Sequence, residues 1–391
     1  MQALLANEAG GGRGHVTTLA AAARALPPGM PCLAALGRLI YADELAGLAD
    51  PIVKAPLLAR PRDMVHPLGL LGGATWGDVL AQIGLADPHK VARGLAFWRS
   101  LIVEHDVSLL IADFAPLAVR AALALRDEGW AIRIVTLGTG YTSPPAGLDR
   151  FPVHLPDFSR VTHAEDATCA TLNQDPDLSP LPRLTALYDV DRPLATTFGF
   201  LDPYARPAHD RIPPLVPASR DLASDDGIFV YFSTAELTDP ALVAALAALP
   251  QPRRGYIPSA APEVRDRLAA SGMEVLDRPA SADEIAQYAR LIVHAAPHGT
   301  TCLAALAGVA QFGVPQHLEQ LFNARKAADA GILTHAMRGD PDLADRISAA
   351  YSDVRLTNRA CDLARNLRAS HPADPLAPLA HILAKEAQAL T

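Results

Sequence analysis

Short apolar runs alternate with segments of helical periodicity along the first two hundred residues. The first run, at residues 3–6, enters a glycine cluster, after which Val16, Leu19 and Ala23 recur at helical spacing. The same pattern predicts strands at 32–36, 109–112 and 132–136 and helices at 91–105 and 117–126. Strands that alternate with helices form parallel sheets, so the pattern predicts a parallel sheet in this half of the chain.

The alternation stops at residues 203–226 and then begins again. This stretch is polar, contains five prolines and has no periodicity, which is typical of a linker. We therefore expect an N-terminal domain at 1–205, a proline-rich linker at 206–226 and a C-terminal domain at 227–391, whose last helix packs back on the N-terminal domain.

The second half repeats the strand and helix pattern. Apolar runs predict strands at 228–232, 255–257, 273–276 and 291–293, and Ser281 with Glu284 has the spacing of a capping box at the start of a helix. Two such series predict an α/β protein with two doubly wound, Rossmann-like sheets that face a cleft, where ligands meet the carboxyl ends of the strands.

Composition narrows the function classes. The chain has 391 residues, of which 50% are hydrophobic and 19% charged, which is enough apolar material for two cores. A net charge of -8 argues against binding to nucleic acid or anionic membranes. The four cysteines are far apart, the N-terminus lacks the features of a signal peptide, and no apolar run is long enough for a transmembrane segment. We therefore expect a cytoplasmic protein.

One candidate site is the glycine loop at 10–15, between the first strand and the first helix. Its glycines do not have the dinucleotide-binding spacing, and no P-loop lysine follows. His15 would sit at a helix N-terminus, where the dipole disfavours the imidazolium and keeps a neutral base available. Asp113 ends a strand at the same sheet edge and would orient the ring. The spacing alone equally fits an ordinary helix-start histidine and a capping aspartate.

A second candidate site is the loop at 294–301, between a strand and a helix. Thr300, Thr301 and the free amides of the helix start would bind an anion such as a diphosphate. His294 and His298 could suggest a metal, but they lie in a loop and no glutamate stands between them, so no metal site is expected.

These two segments resemble the GT-B fold glycosyltransferases that use nucleotide sugars, especially the bacterial macrolide and glycopeptide transferases and the UDP-glycosyltransferases. The glycine loop with His15 and the segment around Asp113 resemble the family's catalytic histidine and aspartate. The segment 294–331 resembles its donor-binding signature.

The resemblance implies an inverting transferase in which His15 removes the acceptor proton and Asp113 orients His15. The donor, a UDP or TDP sugar, would be a co-substrate, with no cofactor and no metal. The residues implied or suggested for donor binding are Gly14, Ser233, Thr234, Leu276, Arg278, Pro279, His294, His298, Gly299, Thr300, Thr301, Glu319, Gln320 and Asn323. By resemblance, Glu319 and Gln320 would contact the sugar hydroxyls and residues 276–279 the nucleobase. Ser233 and Thr234, after the first strand of the second domain, are further diphosphate candidates by the same helix-start argument. The acceptor, which the sequence does not identify as aglycone, lipid, sugar or peptide, would contact residues 60–77 and 138–148, with Tyr141 in the second stretch.

The donor loop departs from the family pattern. Where the family has two glycines after its histidine, this chain has Ala296 and Pro297, and proline removes an amide donor. This departure leaves a non-catalytic nucleotide-sugar-binding relative or partner protein as an alternative function. A nucleotide-sugar epimerase, which shares the fold, is a further alternative.

The motif D-x-D, a metal-binding signature of the other large glycosyltransferase fold, also occurs at 175–177, 189–191 and 340–342. These pairs stand beside prolines or in polar turns, where acidic residues act as caps, so we expect them not to bind metal.

Overall fold

The computed structural model describes residues 1–9, 12–59, 73, 75–155, 164–218 and 226–390. Its strands, in chain order, are β1 Gln2–Asn7, β2 Cys32–Leu36, β3 Ile52–Lys54, β4 Val107–Ala112, β5 Arg133–Gly138, β6 Arg192–Thr196, β7 Arg211–Ile212, β8 Gly227–Tyr231, β9 Arg253–Tyr256, β10 Met273–Leu276, β11 Ala289–His294, β12 Ala310–Gly313 and β13 Leu333–His335.

The strands form two parallel sheets. The first has the order β3-β2-β1-β4-β5-β6-β7 and the second the order β10-β9-β8-β11-β12-β13. Strands such as β1 and β4 are apolar and buried along almost their whole length, because helices cover both faces of a parallel sheet. The predicted α/β class with two doubly wound sheets is confirmed.

Helices connect the strands of each sheet. They are α1 Arg13–Ala25, α2 Trp76–Leu80, α3 Pro88–Glu104, α4 Pro116–Asp127, α5 Ala164–Leu172, α6 Pro240–Ala248, α7 Pro262–Ala270, α8 Ala282–Tyr288, α9 His298–Ala307, α10 Leu318–Asp329, α11 Leu343–Ser352, α12 Val354–Ser370 and α13 Ala377–Gln388. The predicted capping box forms at the start of α8, where Ser281 and Glu284 each accept the other's backbone amide.

The chain divides into two compact units. The first unit contains the chain up to Leu215 and, in addition, the C-terminal segment that begins at Asp374. The second unit runs from Val216 to Ala373. In the first unit α13 packs on the core through Leu379 and Leu383, which are fully buried. The Glu386 carboxylate of α13 pairs with Arg133 of β5 and Arg192 of β6, which fixes the helix at this end of the sheet.

The stretch expected as a linker from residue 206 begins inside the first unit. Its residues Arg211–Ile212 form β7, which pairs with β6 at the edge of the first sheet. Pro213 and Pro214 follow at once, and since proline has no amide to donate, pairing ends there. Residues 219–225 of the expected linker lie outside the described residues.

No helix in the described part of the chain combines the length and the apolar character needed to cross a bilayer.

Candidate functional site

Each sheet has one place where the strand order reverses, and His15, Asp113 and the loop at 294–301 lie at the carboxyl ends of the strands there. In the first sheet the reversal falls between β1 and β4, and in the second between β8 and β11. Ligands of doubly wound sheets bind at such positions, because the loops from the two neighbouring strands diverge and leave a crevice.

His15 and Asp113 meet at the first reversal. His15 is the third residue of α1, and Asp113 directly follows β4. The ring Nδ1 lies 3.1 Å from each carboxylate oxygen of Asp113. The His15 side chain is 24% exposed and the Asp113 side chain 3%, so the ring is reachable from solvent while its partner is buried.

This contact selects the form of the imidazole. A carboxylate can only accept a hydrogen bond, so Nδ1 carries the proton and Nε2 is left with a lone pair. The pair therefore has the arrangement of a general base with its orienting carboxylate.

The Asp113 turn is held by the end of β1. The Asn7 side chain donates to the Asp113 carbonyl at 2.8 Å, and the Phe114 carbonyl accepts from the amides of Glu8 and Ala9. Phe114 has a φ of 52°, a conformation that non-glycine residues adopt only where their surroundings impose it.

Aromatic side chains extend from the histidine into the first unit. The Phe114 ring lies 5.8 Å from the His15 ring and 4.9 Å from Trp76, and Tyr141 packs edge-on against Trp76 at 5.7 Å. The Trp76 indole donates to the Tyr188 hydroxyl at 2.5 Å. Phe114 and Tyr188 line a small cavity. Tyr141, expected on the acceptor side, therefore belongs to a buried aromatic cluster connected to His15 through Phe114.

At the second reversal, the chain leaves β11 through Ala296 and Pro297 and enters α9. Ala296 is buried and has a φ of 58°. The Asn323 side chain, from α10, donates to the Ala296 carbonyl at 3.3 Å. Pro297 takes a φ of -66° and precedes the first turn of α9, a position where its ring fits. The loop therefore turns tightly without glycine, although the amide of residue 297 is absent.

The first turn of α9 presents Gly299 and Thr300 at the surface. Amides in the first turn of a helix have no acceptor within the helix, so this end favours an anion. Thr301 differs from Thr300, because it is fully buried and its hydroxyl donates to the Pro297 carbonyl at 3.0 Å.

The two histidines of this loop are buried. His294 ends β11 beside Gln311, and burial lowers its pKa to about 3. His298 packs its ring against the Cys302 sulfur, and burial lowers its pKa to about 4. Both rings are therefore neutral near pH 7 and supply no positive charge for a phosphate.

Among the residues expected to contact the sugar, only Glu319 is partly exposed. Gln320 is buried, and its side-chain oxygen accepts from the Gln316 amide at 2.8 Å. Asn323 is buried against Ala296, as described above. Gln320 thus stabilises the loop before α10, and Asn323 stabilises the loop between β11 and α9.

The residues expected near the nucleobase end β10 and follow it. Leu276 is half-buried and in register with Tyr256 of β9, which pairs in turn with Tyr231 of β8. The two tyrosine rings are stacked, 6.2 Å apart and 12° from parallel. Arg278 and Pro279 are exposed, and Arg278 forms an ion pair with Glu284. The sequence analysis did not single out the tyrosines, although aromatic residues at adjacent strand ends were a visible signal.

Ser233 and Thr234 follow β8, but only a short 3-10 helix, Glu236–Thr238, begins close to them. α6 begins at Pro240 and is capped by the Asp239 carboxylate. The Thr234 amide already donates to the Glu236 carboxylate at 2.7 Å. The helix-start argument for a diphosphate at these two residues is therefore wrong, because the next α-helix, α6, starts six residues after Thr234 and its amides are already capped by Asp239.

Three aspartates of the D-x-D pairs form ion pairs with arginines. Asp189 pairs with Arg183, Asp191 with Arg126 and Arg133, and Asp340 with Arg346. Within the described residues, no cluster of three or more histidine, cysteine, aspartate or glutamate side chains is placed to hold a metal ion.

Comparison with known proteins identifies the fold. No protein-family model matches the sequence, and no match was found among curated proteins. Solved structures match over nearly the whole chain. The glycosyltransferase VinC in complex with DTDP is 16% identical, with 100% of both chains covered and a TM-score of 0.66. The spinosyn rhamnosyltransferase SpnG is 18% identical, with 98% of this chain and 100% of that chain covered and a TM-score of 0.63. A UDP-glucosyltransferase from Polygonum tinctorium is 17% identical, with 98% of both chains covered and a TM-score of 0.63.

The chain has the GT-B fold. In this GT-B protein the two reversals carry different groups, a histidine and carboxylate pair in the first unit and a helix N-terminus in the second. Sequence reasoning missed Asn7, Phe114 and Trp76, whose roles depend on contacts across the first sheet. Gly14 lies in the first turn of α1 and is exposed, whereas Gly10, Gly11 and residues 60–72 lie outside the described residues.

Proposed function

We propose that this protein is an inverting glycosyltransferase that moves a sugar from a nucleoside diphosphate sugar to an acceptor hydroxyl. The observation that carries the proposal is the contact between His15 Nδ1 and both Asp113 oxygens at the first sheet reversal of a GT-B fold. This contact leaves Nε2 as an oriented, partly exposed base, which the alternative of a non-catalytic binding protein does not require.

In the proposed reaction, His15 Nε2 takes the proton of the acceptor hydroxyl. The oxygen attacks the anomeric carbon as the bond to the diphosphate breaks, and a single displacement inverts the configuration. Asp113 stabilises the imidazolium that forms, as a buried carboxylate does beside a histidine base. The nucleoside diphosphate leaves with the bonding electron pair.

We infer that the diphosphate binds at the first turn of α9. The exposed Gly299 and the half-buried Thr300 supply amides and one hydroxyl there, and the helix dipole favours the negative charge. Because these hydrogen-bond donors and the helix dipole stabilise the negative charge of the leaving diphosphate, the proposed reaction needs neither a metal nor a further cofactor.

The nucleotide is a thymidine or uridine diphosphate. VinC is solved in complex with DTDP and SpnG with thymidine diphosphate, whereas the Polygonum tinctorium protein is a UDP-glucosyltransferase. In the second unit the stacked Tyr231 and Tyr256, beside Leu276, form an aromatic surface at the strand ends. Such a surface suits a planar base, because base–aromatic stacking is favourable for any base.

The acceptor has an apolar part. Phe114 lies 5.8 Å from the His15 ring and lines, with Tyr188 and mostly apolar residues, a small cavity that suits an apolar group rather than a charged one. SpnG is solved with the spinosyn aglycone, which agrees with an acceptor of this general kind.

The melting temperature of the protein, measured against a panel of nucleoside diphosphates and their sugars, tests the donor. A ligand at a hundred times its dissociation constant adds about 2.7 kcal/mol to the free energy of unfolding. Stabilisation by one base class identifies the donor for an acceptor screen. If no nucleotide changes the transition at millimolar concentration, the absent amide at Pro297 prevents binding, and the proposal of a nucleotide-sugar transferase fails.

A further inference from the structure

A second carboxyl group, that of Glu8, is fully buried where β1 ends. One of its oxygens accepts from the Leu117 amide at 2.8 Å, and the other accepts from the Trp98 indole. Leu117 lies in the first turn of α4 and Trp98 in α3. The carboxyl therefore joins the end of β1 to two helices.

The start of α4 needs this carboxyl. The residue before the helix is Ala115, whose side chain cannot cap it, and Pro116 is the first helical residue. A buried helix start without an acceptor for its amides is costly, and Glu8 is the side chain that accepts from Leu117.

The same segment also fixes Asp113. The Asp113–Phe114 turn lies between β4 and α4, and the Glu8 amide donates to the Phe114 carbonyl. Asn7 donates to the Asp113 carbonyl. The turn is thus held directly by the Asn7 side chain and the Glu8 amide, and indirectly through the Glu8 contact with α4.

We propose that Glu8 is a positioning residue for the His15 and Asp113 pair. Its carboxyl holds the start of α4 against β1 and so keeps the Asp113 carboxylate within hydrogen-bond distance of the His15 ring. The consequence for turnover rests on the proposed function, whereas the contacts themselves are testable without any substrate.

The proton of Glu8 offers a spectroscopic test. Burial raises the pKa of Glu8 to about 8, against the opposing effect of the Leu117 and Ala118 amides and the Trp98 indole. The charged group nearest to Glu8 on the side of β2 and β3 is Lys54. Its ammonium donates to the Gly37 carbonyl, and Gly37 packs against the Glu8 carbonyl. On the side of β4, the titratable groups are Asp113 and His15.

The first experiment follows the indole N–H signals of the protein by NMR against pH. The Trp98 signal should move with a midpoint near pH 8, because its acceptor becomes an ionised carboxylate. Trp130 donates to the Val107 carbonyl at 3.0 Å, so its signal is the internal control and should not show this step. A Trp98 signal that is unchanged by Glu8→Gln, or that keeps the step in that variant, overturns the proposal, because the indole then does not donate to this carboxyl.

The second experiment observes the ring protons of His15. In the protein without substitution, these signals should show the same step near pH 8. In Glu8→Gln and Glu8→Ala, the signal of the proton between Nδ1 and Asp113 should weaken or shift. The matched control is Glu165→Gln, since Glu165 is a buried carboxyl of the same unit that accepts the Phe151 amide. His15 signals unaffected both by pH near 8 and by the Glu8 variants overturn the proposal even if one variant fails to fold.

Turnover separates the two proposals. If the protein transfers sugar, Glu8→Gln should lower kcat roughly tenfold with little change in the acceptor KM, because positioning acts on the oriented base. An equal kcat in Glu8→Gln and the unsubstituted protein would contradict the positioning role but not the proposed function. If no sugar transfer is found while the NMR signals show the expected pH steps, the proposed function is contradicted and the positioning role is not.

Discussion

The two sheet reversals of this protein share a topology and differ in chemistry. At the first, His15 is partly exposed and its ring is bound to a carboxylate. At the second, His294 and His298 are buried, and burial lowers the pKa of both rings. A histidine near the end of a parallel strand is therefore not by itself a catalytic group. Its exposure and its partner decide whether it is available for proton transfer or fills the core.

The difference follows from the loops. The first loop places its histidine on the third residue of α1, with an aspartate from the neighbouring strand beside it. In the second loop the polar groups left at the surface are the amides of α9 and the Thr300 hydroxyl. One reversal suits proton transfer and the other suits anion binding.

The largest expected effect is on transfer by His15→Ala. Loss of a general base lowers the rate by about 10²–10⁴-fold, and Asp113→Asn should lower it as well because the ring loses its acceptor. The rate of sugar transfer to an acceptor found by screening measures this effect. His89→Ala, which removes an exposed histidine from α3, is the control. Full activity in His15→Ala would remove the distinction between the two reversals.

The next effect is on acid stability. His298 has a pKa of about 4 in the folded protein and an ordinary value of 6.5, so the folded state binds fewer protons than the unfolded state between these values. The contribution of His298 to the free energy of unfolding is fully present above pH 6.5. It falls by about 3 kcal/mol as the pH is lowered towards 4.

Urea unfolding at pH 7 and pH 4 measures this decline. His298→Asn should show a smaller difference between the two pH values than the unsubstituted protein. His209→Asn, at an exposed position, should leave the difference unchanged. A difference that is the same in all three proteins would mean that His298 is protonated without cost, as an exposed histidine is.

A smaller effect concerns the turn before α9. Ala296→Gly removes a methyl group but relieves the left-handed backbone, so its cost should be close to zero. Ala295→Gly, one residue earlier and equally buried, removes a methyl group without that relief and should cost about 1–2 kcal/mol. Thermal unfolding of the two variants gives the difference, and equal costs would show that Ala296 carries no strain.

The smallest effect separates Thr300 from Thr301. Thr300→Val should weaken binding of a nucleoside diphosphate by about 1 kcal/mol, because a surface hydroxyl at the helix start is lost. Thr301→Val should instead lower stability, since its hydroxyl bonds the Pro297 carbonyl. Calorimetric titration of both variants tests this contrast. Weaker binding in Thr301→Val alone would reverse the assignment.

Most of the fold followed from local patterns. The predicted strand at 32–36 coincides with β2, and the one at 273–276 coincides with β10. Apolar runs of this length, flanked by glycine, proline or charge, mark buried parallel strands. The short edge strand β7 was missed, because its two residues lie among prolines and have no periodic pattern.

The first candidate site was visible for the same reason. A histidine after a glycine loop and an aspartate after a strand are positions that strand order brings to one sheet edge, and the structure places their atoms 3.1 Å apart. The second loop was only partly visible. Its residue types indicated a phosphate site, but burial removed His294, His298 and Thr301 from the surface.

The sequence by itself determined which segments become strands and helices and which residues stand at strand ends, because these features depend on neighbours within a few positions. Tertiary structure decided which polar groups are exposed, which are neutral and which are already bonded. Burial of His298 and the contact of the Glu8 carboxyl with α4 each depend on residues from different elements. Desolvation and hydrogen bonding act through space, and only the folded chain sets those distances.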